Sequence, residues 1–300
     1  MMDYVVRAIA GKRSVRAFAA NTTNLVSKAA EIHNMYPVAA AALGRVLTVA
    51  GMMATDMKSI DNVLSIIVKG DGPLGNIVCV ARQDGALKGY VNNPQLDLPL
   101  NHKGKLDVGK AVGRTGTLTV IKDLGLKEPY VGQVNLVTGE IGDDMANYYW
   151  ISEQQPSVVA LGVLVNPDLS VRASGGYIIQ PLPEADEEII GSIEKKIKEM
   201  PSVSSLIEQG HSPEGILEIL LGNFDLKILG RTPLSFHCDC NRERLEQVVI
   251  SLGKEELTNI METDGQAELI CHYCNTKYYF SREELASLIE KAEYLSFRKL

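Results

Sequence analysis

The chain has 300 residues, 45% of them hydrophobic and 22% charged, with a net charge of -7. That length and apolar content suffice for a substantial core and suggest about two domains, while the acidic balance opposes general binding to a phosphate backbone, so no nucleic-acid partner is expected. The longest apolar run, 38–54, is interrupted by Arg45 and rich in Ala and Gly, which fits a tightly packed core helix and argues against a membrane span or a membrane partner.

In chain order, residues 4–9 read as a first strand. The nearby Arg7, Lys12, Arg13 and Arg16, with few acids, also fit a transit peptide, but no continuous apolar segment of a secretory signal is present and the cytoplasm is the expected location. Helices are expected over 22–33 and 38–57; Pro37 can open the second, since its missing N–H is one the first turn leaves unpaired anyway. Short β-branched runs at 63–68 and 77–81 flank the turn signal Asp71-Gly72-Pro73, and Asp84-Gly85 marks a further hairpin. Runs at 117–121, 131–137, 158–165 and 169–173 continue the pattern, with Asn166-Pro167-Asp168 as a turn. The fold class expected is α+β: a mostly antiparallel sheet domain with helices packed on it, then a helical linker and a small C-terminal zinc-binding module.

Three features of the first domain are read as structural. Cys79 lies between apolar neighbours in a strand and behaves as a small buried hydrophobe. Residues 109–115 glance at a phosphate loop but are one residue short and carry Arg114 where Lys is needed. His33 and His102, like His211 in the linker that follows, have no partner pattern.

Composition shifts after Pro181-Leu182-Pro183. Residues 184–200 are dense in charge, yet Ile189, Ile190, Ile193, Ile197 and Met200 recur at helical spacing. Pro201 stops that helix. Ser212 can cap another with Pro213 in its first turn, and Ile216, Leu217, Ile219, Leu220 and Leu221 give it an apolar face. Short helices depend on burying such a face, and the N-terminal domain is the expected partner. The organisation is therefore 1–182, an α+β core domain; 183–230, an amphipathic helical linker with Ile189, Ile193 and Ile197 as its docking stripe; and 231–300, a small metal module.

The most specific signal is the pair Cys238-Asp239-Cys240 and Cys271-His272-Tyr273-Cys274, separated by thirty residues. Two soft donors from each of two loops suit one zinc ion per chain. Four thiolates fill the tetrahedron and leave no position for a reacting water, so no catalytic role is expected. Cysteines one or two residues apart can also reach the Cα separations of a disulfide, so the quartet is either a switch that closes on itself and loses the metal or a plain ribbon that staples a domain. His237 and His272 flank the ligands and are candidates to tune or replace them. Arg242, Arg244 and Lys277 either offset the thiolate charge or form a solvated basic face.

These residues resemble the redox-regulated heat-shock protein 33 family, the bacterial 33-kDa chaperonins. Tyr148-Tyr-Trp-Ile-Ser152-Glu153-Gln154-Gln-Pro156-Ser157 is similar to the family's Tyr-Phe-x-x-Ser-Glu-Gln-x-Pro-Thr segment, with Ser157 in place of the commoner Thr. Ala173-Ser-Gly175-Gly176 with Gln180-Pro-Leu-Pro183 is similar to a second family segment. The resemblance implies a holdase that consumes no nucleotide, inactive when reduced and zinc-bound. Oxidants convert its four thiolates to two disulfides, by analogy Cys238 with Cys240 and Cys271 with Cys274, with zinc release. The module and linker then unfold, unfolding client proteins are bound, and active chains form a homodimer. Chaperoning follows from the resemblance alone; the metal cluster and the linker's need for burial follow from the residues. Glu153 and Gln154 have no nucleophile or second carboxylate patterned with them and are read as structural. The rival classes are a zinc-ribbon nucleic-acid-binding regulator and a thiol-disulfide oxidoreductase using Cys271 and Cys274.

Overall fold

The computed structural model describes residues 2–183 and 185–297; Glu184, where the expected linker helix begins, lies outside the described residues. The chain divides into two compact units between His237 and Cys238.

In the first unit β1 (Tyr4–Ala10) and β2 (Val15–Asn21) form an antiparallel hairpin. Gly11, Lys12 and Arg13 join them with three successive positive φ angles of 59°, 55° and 76°, a conformation costly for the two long side chains. Thr22 precedes α1 (Thr23–His33), and Pro37 opens α2 (Pro37–Ala54) as expected. Every residue of α2 except Pro37 and Arg45 is buried. The helix packs against strands of both sheets of this unit, which is why it is apolar all round without crossing a membrane. Its small residues permit close approach: a Cβ at Gly44 would meet Val26 Cγ1 at 2.7 Å.

Strands β3 (Val63–Gly70), β4 (Ile77–Arg82) and β5 (Ala86–Val91) form a meander turned at the expected positions. The short helix α3 (Val108–Val112) occupies the stretch that glances at a phosphate loop, where Gly72 N–H donates to Val112 C=O at 2.9 Å; its glycines serve packing. Then come β6 (Gly116–Asp123), β7 (Tyr130–Asn135), α4 (Ile141–Ile151), β8 (Val158–Val165) and β9 (Val171–Pro181). Helix α4 bears no expectation above, nor does β2, and β9 runs well past the expected 173.

The linker folds as α5 (Glu187–Glu199), α6 (Val203–Glu208) and α7 (Pro213–Leu221). Asp186 caps α5, Ser202 caps α6 and Ser212 caps α7 through Gly215 N–H. Ile193 is buried with Ile216, Leu217, Leu220 and Leu221 against Val6, Ala8, Ala17, Ala19 and Ile179 of the β1–β2–β9 surface, while Ile189, Ile197 and Met200 are half-buried on the same cluster. Ile219, placed on the apolar face of α7, is exposed instead. The chain then returns as β10 (Lys227–Pro233), pairing antiparallel with β1, and β11 (Ser235–Phe236), pairing parallel with β5. Residues 231–237, assigned above to the metal module, thus belong to the sheets of the first unit. One sheet has the order β10-β1-β2-β9-β8 and the other β11-β5-β4-β3-β6-β7.

The second unit holds α8 (Arg242–Ser251), α9 (Lys254–Thr263), the hairpin β12 (Ala267–Ile270) and β13 (Lys277–Phe280), and α10 (Arg282–Phe297). Its core is small: Val249, Ile250, Leu257, Phe280, Leu285, Leu288 and Ala292.

Candidate metal centre

Four thiols converge in the second unit. Cys238 and Cys240 lie just ahead of α8, whose N-cap Asn241 accepts from Arg244 N–H at 2.8 Å. Cys271 and Cys274 sit in the β12–β13 turn, closed by Cys271 N–H to Thr276 C=O at 3.0 Å and Asn275 N–H to Cys271 C=O at 2.8 Å. Asn275 takes a positive φ of 56°, which a short polar side chain tolerates. The four Sγ atoms lie within 4.8 Å of one another. Cys238 and Cys271 sulfurs are 3.7 Å apart, and those of Cys240 and Cys274 are 3.3 Å apart. A tetrahedral ion bound at about 2.3 Å per sulfur separates its ligands by about 3.8 Å, so the donor set fits such an ion. Neither His237 nor His272 belongs to the cluster among the described residues.

The electrostatics are those of a site that wants a cation. Burial raises the thiol pKa of Cys238 and Cys240, and neighbouring thiols add to the rise at Cys238. At Cys274 burial also opposes ionisation, but hydrogen bonds from Thr276 and from Cys240 and Cys271 outweigh it and bring the group down to about 7. A negative charge thus settles readily at Cys274, whereas Cys238 and Cys240 need a metal to displace their protons. The Tyr278 hydroxyl lies 3.3 Å from Cys240 Sγ, and this contact holds its pKa up at about 12.

The basic residues do not serve the sulfurs. Arg244 pairs with Asp239 at 2.5 Å, Arg242 pairs with Glu284 at 2.5 Å and lies 4.7 Å over the Phe280 ring, and Lys277 pairs with Glu268 at 3.1 Å. Cys79 is fully buried, with its thiol pKa raised by desolvation, as a structural cysteine should be.

The motif residues of the first unit form a polar network. Tyr148 OH donates to Glu153 Oε1 at 2.5 Å, and Lys122 Nζ donates to the same oxygen at 2.6 Å. Gln180 accepts from Arg16 Nη2 at 2.7 Å and donates to Ser157 Oγ at 2.8 Å, and Arg16 also pairs with Asp56 at 2.7 Å. Gln154 itself adopts a positive φ of 52°. Lys122, Arg16 and Asp56 had no motif to mark them, because their partners lie far away along the chain.

Fold and site together define an α+β protein carrying a compact four-thiol module. The model of the Hsp33 protein family matches residues 3–281. The 33 kDa chaperonins of Thermoanaerobacter sp. (strain X514) and of Caldanaerobacter subterraneus subsp. tengcongensis are 50% and 49% identical over 293 residues, covering 98% of this chain and 100% of theirs. The crystal structure of the 33 kDa chaperonin (heat shock protein 33 homolog) from Thermotoga maritima superposes with a TM-score of 0.89 at 35% identity, covering 97% of this chain and 98% of that one. The chain belongs to the Hsp33 family of chaperones.

Proposed function

We propose that the protein is a redox-regulated, ATP-independent holdase of the cytoplasm, restrained while its cysteines are reduced and hold one zinc ion. The convergence of four sulfurs within 4.8 Å in a unit with seven fully packed core residues among those described carries this reading. Cys238, Cys240, Cys271 and Cys274 are the ligands. Zinc, when bound, supplies folding free energy by holding four thiolates, on the order of 10–16 kcal/mol in small zinc domains, against about 5–15 for a typical whole domain.

A thiolate attacks one oxygen of a peroxide, breaking the O–O bond to give a sulfenic acid and releasing the other oxygen as water or hydroxide. A second cysteine displaces the sulfenic oxygen to give a disulfide and a second water. Each pair loses two electrons to one peroxide, and a disulfide sulfur is no longer an anionic ligand. We assign the disulfides as Cys238–Cys240 and Cys271–Cys274. The folded cluster holds cross-pair sulfurs just as close, but once the module loosens only partners tethered by one or two residues stay together, since closing a thirty-residue loop costs more entropy. Unfolding of the module and release of the 183–230 linker then free apolar surface for unfolding clients, and active chains pair as a homodimer. The ion pairs of Arg242, Arg244 and Lys277 weigh against a nucleic-acid regulator.

The test is light scattering of a heat-unfolding client without ATP. Oxidised protein, with zinc loss and disulfides verified, suppresses aggregation and reduced protein does so weakly; equal suppression by both removes the switch. Peptide mapping checks the pairing, and predominant Cys240–Cys271 links contradict it.

A further inference from the structure

Among the described residues β7 is the outermost strand of its sheet, with β6 on one side only. Leu136 N–H donates to Gly116 C=O at 3.0 Å, and the antiparallel register sets Asn135 opposite Thr117. These two facts fix the phase of the ladder: residues 130, 132 and 134 exchange bonds with β6, whereas Val131, Gln133 and Asn135 aim their N–H and C=O groups outward. A side chain already answers one outward acceptor, since the Asn147 amide of α4 donates to Asn135 C=O at 3.4 Å.

Native edges are normally blunted by charge, proline, a bulge or a cover. β10, at the end of the other sheet, carries Lys227, Arg231 and Pro233 and shows a register shift against β1. β8 is apolar, but α4 and α6 pack on it and none of its residues is exposed. β7 has neither charge nor proline, keeps an unbroken register with β6, and leaves Val131 56% exposed. Beside it runs a groove of about 450 Å³ between the strand and α4, bounded by Gln133, Asn135, Val137, Asn147 and Ile151. None of these is charged, and Val137, Ile151 and the neighbouring Trp150 are all well exposed.

We propose that this groove takes an extended, uncharged apolar segment of an unfolding client as an added strand. The segment pairs with the outward backbone groups of Val131, Gln133 and Asn135 and seats alternate side chains against Val137 and Ile151. Backbone pairing is indifferent to side-chain identity, and a groove without charge imposes no electrostatic selection, which suits a receptor for many sequences. The proposal rests on the holdase reading and names its surface.

The test uses the oxidised full chain with reduced, carboxymethylated α-lactalbumin as a permanently unfolded probe. Hydrogen exchange at the outward amides of Val131, Gln133 and Asn135 slows when the probe is added. Gln133→Pro removes an outward donor without touching the β6 ladder, and Ile151→Glu places a charge in the groove from an exposed position. Each weakens probe binding roughly tenfold, with unchanged zinc content of the reduced protein and an unchanged thermal midpoint. Undiminished binding by both variants, with no slowing at the three amides, removes the groove and leaves the holdase standing. Failure of the oxidised parent protein to bind the probe removes both. Slowing that appears without probe and rises with protein concentration overturns the assignment in favour of a second copy of this chain.

Discussion

The two units are held together by different means. The first buries a long alanine-rich helix among strands of two sheets and adds a second apolar layer beneath α5, α6 and α7. The second, residues 238–300, has among its described residues seven fully packed core residues and four thiols. A domain near 60 residues buries too little surface to be more than marginal on its own. A sulfur cluster is thus an efficient place for a switch: on the proposed reading, a chemical change at four atoms withdraws most of what stabilises the second unit and leaves the alanine-rich core of the first in place.

The sharpest way to break that contrast is to take the ligands away. Cys238→Ser with Cys271→Ser, or chelation of the reduced protein, should unfold residues 238–297 and spare the alanine-rich core of the first unit, the lost stabilisation being on the order of 10 kcal/mol. Hydrogen exchange reads the two units separately, and Trp150, the single tryptophan, reports on the first. A module that keeps its amide protection without zinc would show that its small core suffices.

Between the two extremes lies the linker. Ile193 is 5% exposed, whereas Ile189 and Ile197 are only half-buried, so Ile193→Ala should loosen α5 by about 2–5 kcal/mol and the other two by less. The expected readout is faster exchange across 187–221 and measurable suppression of client aggregation without oxidant. Fast exchange with no gain in activity would separate linker docking from the restraint.

How much of this was legible in sequence depended on the range of the interactions. Local signals held: Pro37 at a helix start, Ser212 with Pro213, and the turns at 71–73 and 166–168; the two closely spaced cysteine pairs do come together, with their sulfurs within 4.8 Å of one another. What failed was long-range. β10 reads like the end of a linker because nothing local says that Lys227–Pro233 will pair with Tyr4–Ile9 across more than two hundred residues. The strand β2 reads as small residues without alternation because both its faces are covered, one by the core and the other by the linker helices. The basic residues beside the cysteines were legible as charges but not as partners, since Asp239, Glu268 and Glu284 take them only once the module folds.

The smallest expected effect concerns the seam where linker, β1 and β10 meet. Glu214, at the start of α7, accepts from Tyr4 OH at 2.8 Å and pairs with Arg231. Burial works against its charge, but the bonds from its own backbone, Tyr4 and Arg231 prevail and hold its pKa below the usual carboxylate value. A carboxylate depressed in the folded state contributes stability that is fully present above its unfolded pKa of about 4.3 and is lost as pH falls through the lower folded value. Glu214→Gln should therefore lower stability at pH 7 by about 1 kcal/mol or less, given the exposure of the Arg231 partner, and the deficit should vanish in strong acid. Thermal melts of both proteins across that range decide it. A deficit that persists unchanged below the folded pKa would mean that Glu214 acts through the shape and hydrogen-bonding capacity of its side chain and not through its charge.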